Sequence, residues 1–158
     1  MIRTLALALF TGLLPSTILA ETMSWRLATV VSSQQGSETI RRGVALFSNG
    51  EPATLTLRLR PTASPSQGRM PFSTHTVYRF EDGSSFVVVG AGFAAVSPEG
   101  APLPVENLIE GNFAEGSGRY LGITGKVTLR SRSGMDRSAH GILGDQFSFA
   151  QAEYTISK

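Results

Sequence analysis

From residue 53 the chain reads Ala-Thr-Leu-Thr-Leu-Arg-Leu-Arg, apolar and polar in strict alternation. Ala53, Leu55, Leu57 and Leu59 fall on one face, and Thr54, Thr56, Arg58 and Arg60 on the other. A period of two predicts a strand with one face buried and one in water. Residues 125–132 repeat the pattern, with Val127 and Leu129 opposed to Lys126, Thr128, Arg130 and Arg132. Phe72, Thr74, Thr76, Tyr78 and Phe80 likewise share a face, and Asp82-Gly83 then predicts a hairpin turn into a strand from Ser85 to Val96.

Further strands are predicted over Ser24–Ser32, Glu38–Phe47, Val105–Phe113, Ala139–Leu143 and Gln146–Ile156. Turn signals separate them: Gln35-Gly36, Asn49-Gly50, Ser97-Pro98-Glu99-Gly100, Ser133-Gly134 and Gly144-Asp145. Pro61 to Pro71 reads as a longer, mobile loop. No helical stripe exceeds two turns after residue 20. This pattern means an all-β sandwich or a closed barrel. Gly90, Gly92, Gly111 and Gly141 lie within strands, where glycine marks a bulge or a sharp bend, and they favour a single eight-stranded antiparallel barrel.

The first twenty residues break this pattern. Arg3 precedes an apolar run from Thr4 to Leu14, Pro15 and Ser16 interrupt it, and Ala20 stands before Glu21. That order reads as a cleaved secretory signal peptide, residues 1–20, ahead of a barrel domain at 21–158. The run is too short to span a bilayer, which takes about 20 residues. A secreted or periplasmic location follows, with no membrane contact once the signal is removed. The chain has no cysteine, so the domain folds without disulfides. Without Arg3, 13 basic residues face 12 acidic ones, a net of +1. That balance gives no argument for nucleic acid as a partner.

Gly90-Ala91-Gly92-Phe93-Ala94-Ala95 fits G-x-G-x-x-[G/A], the dinucleotide-binding fingerprint. The fingerprint needs a helix directly after the glycines. Pro98, Pro102 and Pro104 follow instead, and proline within a helix costs about 3 kcal/mol. The stretch therefore reads as a bent barrel strand, with Phe86, Val88 or Phe93 facing the lumen, and no cofactor is expected. The only histidines, His75 and His140, have no cysteine partners, so no metal is expected either. Glu106, Glu110 and Glu115 read as a solvated strand edge, and Arg58, Arg60, Arg130 and Arg132 as a solvated or subunit-facing exterior.

Residues 110–130 are the most distinctive. Glycines recur as G-S-G-x-x-x-G-x-x-G from Gly116 to Gly125 and run into a strand. Gly116, Ser117, Gly118, Tyr120, Gly122 and Gly125 match the turn G-[ST]-G-x-[FY]-x-G-x-x-G, and Val127 and Leu129 continue it. On these residues, and on the Tyr78–Ser85 hairpin, the chain resembles the allene oxide cyclase and dirigent superfamily. The resemblance implies an eight-stranded barrel and a homo-oligomer, often a trimer. It also implies a lumen for a small apolar molecule. The early-strand glutamate of the cyclases and the aspartate motifs of the dirigents have no counterpart in 24–47.

Tyr120 reads as a plug closing one barrel end. Tyr78, Phe93, Asn107 and Tyr120 are the candidate lumen and ligand-binding residues; no catalytic residue is assigned. Two functions remain open. One is a secreted barrel binding a small apolar ligand, acting if at all as a cofactor-free cyclase or isomerase that templates its substrate. The other is a non-enzymatic structural or protein-interaction module with a packed core. Lumen volume separates them, since ligand pockets start at roughly 300 Å³.

Overall fold

The computed structural model describes residues 20–95, 106–133 and 146–157. The strands are β1 (Glu21–Gln35), β2 (Glu38–Phe47), β3 (Pro52–Pro61), β4 (Arg69–Phe80), β5 (Ser85–Ala95), β6 (Glu106–Ser117), β7 (Ile123–Ser133) and β8 (Gln146–Ile156). A 3-10 turn, Gly118–Tyr120, links β6 to β7. Each strand pairs antiparallel with the next, and β8 returns to β1, so the sheet closes into an eight-stranded barrel. Closure leaves no unpaired sheet edge.

β2 and β8 have the boundaries the alternation predicts. β1 and β6 run longer than predicted, and the loop between β3 and β4 is shorter. Its two ends join the flanking strands: Pro61 pairs with Phe72, and Pro71 with Phe93. The expected signal segment, the predicted strand at 139–143 with His140 and Gly141, and the prolines at 98, 102 and 104 lie outside the described residues.

Alternation decides the core. Ala53, Leu55 and Leu57 of β3 are buried, while Thr54, Arg58 and Arg60 are exposed. Large and small side chains meet across strands. Trp25 stands in register with Phe47 on one side and with Ala150 on the other, which makes room for its indole. The glycines of the fingerprint belong to this packing. On the face shared with Phe86 and Val88, a Cβ at Gly90 would come 2.8 Å from the Glu110 carbonyl oxygen, and one at Gly92 2.7 Å from that of Leu108. Both are paired in the sheet between β4 and β6 and do not belong to a loop.

Candidate functional site

The barrel interior has two halves of different chemistry. One end carries the turns at 48–51 and 81–84 and the 3-10 turn. Here Phe86, fully buried, stands within 6.1 Å, ring centroid to centroid, of Trp25, Phe47, Tyr78, Phe80, Phe113 and Tyr120. Aromatic pairs at such spacings add about 0.5–1.5 kcal/mol each beyond their buried area. The Trp25 indole N–H donates to the Tyr78 hydroxyl at 3.1 Å, which satisfies a donor sealed from water.

The glycine turn closes this end. Gly118 has φ +59°, and a Cβ there would lie 2.5 Å from the Ser84 Oγ. Ser84 is itself fixed by Asp82, which accepts from its backbone N–H at 2.9 Å and from its hydroxyl at 3.0 Å. These bonds hold the Asp82 carboxyl below the usual aspartate range. The Arg119 guanidinium lies over the rings of Phe80 and Tyr120, 4.6 and 4.9 Å from their centroids. It pairs with Glu51 and, at 3.4 Å, with Asp82. Tyr120 is thereby pressed onto Phe80 as a lid.

The other end is polar inside. Thr29, Thr74, Thr76, Ser131, Gln146 and Ser148 are buried there, and so is Arg41. The Arg41 Nε and Nη2 donate to the side chain and the carbonyl of Thr29, each at 2.9 Å. Ser131 and Ser148 stand opposite each other on β7 and β8, and neither hydroxyl has a protein partner among the described residues. Between the halves, among the described residues, lies a cavity of about 20 Å³, lined among others by Tyr78, Thr74, Thr76 and Ser148. That is room for about one water, the kind of partner a buried hydroxyl takes.

The candidate residues divide accordingly. Tyr78 and Tyr120 face inward, and burial raises both phenols above the ordinary tyrosine value. Asn107 is half-buried, opposite Ser131 near the polar end. Phe93 does not line the lumen. It is 56% exposed, because Phe86, Val88, Gly90 and Gly92 take the inward positions and the period of two sends residue 93 outward. There it borders an open groove of about 760 Å³ on the outer wall, shared with Asn107 and Leu108. His75 is exposed on β4, opposite Arg58. Glu110 and Glu115 are exposed too, on a strand paired along both sides and so not a sheet edge.

No family model, curated protein or solved structure matches this chain. The resemblance to allene oxide cyclases and dirigents therefore rests on the glycine turn and its hairpin alone.

Arg41 is the charged inward residue that the sequence reading passed over. A signal for it existed. It shares the parity of Gly43, Ala45 and Phe47, the inward positions of β2.

Proposed function

We propose that this chain is a non-enzymatic, exported barrel with a packed core, whose contacts with partners are made by its outer wall. The observation that carries this reading is the cavity of about 20 Å³, set against the roughly 300 Å³ at which ligand pockets begin. The aromatic cluster occupies the space a guest would need. The glycine turn supports keeping kinship with the allene oxide cyclase and dirigent barrels within the proposal. A templating site in the lumen is the second reading. It is favoured by the threonines, serines and Arg41 gathered at the polar end.

One measurement separates the two. Native mass spectrometry of the protein isolated from the cells that make it should give a chain beginning near Glu21 with no small molecule bound. A copurifying apolar compound, released on unfolding, would overturn the packed-core reading. A chain retaining Met1 would overturn export.

A further inference from the structure

The outer wall is not uniformly polar. On β8, Phe147 and Phe149 project into solvent, 62% and 45% exposed. The strand registers set arginines beside them. Phe149 stands between Arg130 of β7 and Arg26 of β1, and Phe147 between Arg132 and Ala28. On β2, Leu46 lies opposite Arg26, Val44 opposite Ala28, and Arg42 opposite the exposed Val30. The outward positions of these strands, residues 26–30, 42–46, 128–132 and 147–151, hold four arginines and no acidic residue; acidic residues border them, Glu106 and Glu110 opposite Arg132 and Thr128 on β6, and Glu153 next along β8.

We infer that this face docks the barrel on an anionic lipid surface. The inference rests on the packed-core reading, because it assigns the work to the outside of the barrel, and it replaces the expectation of a membrane-free protein. Charge complementarity selects the partner. A second copy meeting the crest of this face symmetrically would bring the arginines beside Phe147 and Phe149 against their own counterparts. Geometry selects the form. The wall is convex, so a flat surface meets the β8 crest first, with β7 and β1 about 5 Å to either side. Apolar side chains then occupy the crest, and cations flank it. A bilayer offers the same order, with its acyl boundary beneath a layer of phosphates. Arginine stems can lie along apolar surface while their heads reach outward.

The test is co-sedimentation of the full chain with vesicles of phosphatidylglycerol and phosphatidylcholine in equal parts, and with phosphatidylcholine alone. Binding is expected only to the anionic vesicles, and it should weaken as salt shortens the screening length. Arg130→Gln and Arg132→Gln should each lower affinity about five-fold, and Phe147→Ser with Phe149→Ser about ten-fold or more. Leu121→Ser, an exposed apolar residue beside the glycine turn, should bind as the parent does. Near-ultraviolet circular dichroism of the Trp25 cluster verifies that every variant is folded. Equal sedimentation with neutral vesicles, or loss of binding in Leu121→Ser alone, overturns the inference. So does the absence of binding, including the case where the same phenylalanine changes abolish self-association instead. None of these outcomes puts a molecule in the lumen, so the packed-core reading would survive them.

Discussion

Phe86 and Phe93 are the same residue on the same strand, seven positions apart, and they should behave as opposites. Phe86 is fully buried within the aromatic cluster. Truncating a packed phenylalanine to alanine costs about 3–5 kcal/mol, as lost transfer energy plus the void left behind. Small domains are stable by only about 5–15 kcal/mol, so Phe86→Ala should fold with its reserve much reduced. For a domain of this size the melting temperature should fall by about 10–20 °C. Phe93→Ala removes an exposed ring and should stay within about 0.5 kcal/mol of the parent. Urea unfolding followed by Trp25 fluorescence measures both, and an unchanged slope confirms that the midpoints compare stabilities. Phe86→Ala should also open an apolar void of the kind that takes up benzene, which would raise the melting temperature of this variant and not that of the parent. A cost below about 1 kcal/mol for Phe86→Ala would refute the packed core. So would a benzene effect on the parent.

Two further outcomes test the closed end and the buried phenols. Gly118→Val should destabilise by about 2 kcal/mol or more, because a β-branched residue is strained at positive φ and its Cβ would strike Ser84; an unchanged melting curve would contradict the structural role of the turn. All three tyrosines have raised values, Tyr154 pushed up to about 12 by burial and by its bond to Glu21. A raised folded value gives stability that is complete below about pH 10 and, for Tyr154, lost as pH climbs from there towards about 12. Ultraviolet titration should therefore show tyrosinate forming later in the native protein than in urea, and coincident curves would refute it.

Much of the fold was legible because most of the strands keep one face wet. Leu55 and Leu57 announce their burial by alternating with threonine and arginine, and the turns at Asn49-Gly50 and Asp82-Gly83 mark where the chain reverses. Closure was harder to read, since the pairing of β1 with β8 joins segments more than a hundred residues apart. The candidate site was legible only in part. Tyr78 follows the alternation of Phe72 to Phe80. Phe93 was misjudged because its neighbours are glycine and alanine, which give no polar partner to set the parity, and the inward run from Phe86 must be counted through Gly90 and Gly92. Arg41 escaped because a charged residue is almost never fully buried unless paired, and the pairing with Thr29 appears only when β1 and β2 are in register. The outer arginine and phenylalanine band is spread over four strands, so only the closed sheet brings it together.

The contact between the first and last strands also orders events in time. Glu21 to Thr29 pair with Tyr154 to Gln146, and the Tyr154 hydroxyl donates to Glu21 at 2.7 Å. A ribosome-bound chain that stops short of Gln146 has no partner for that side of β1, nor for the free side of β7. Its apolar face then curves around a gap. The cylinder can shut only once β8 has been made. That closing contact joins segments more than a hundred residues apart, the non-local kind of pairing that forms slowly. Until it forms, the chain carries two adhesive edges, which expose it to aggregation.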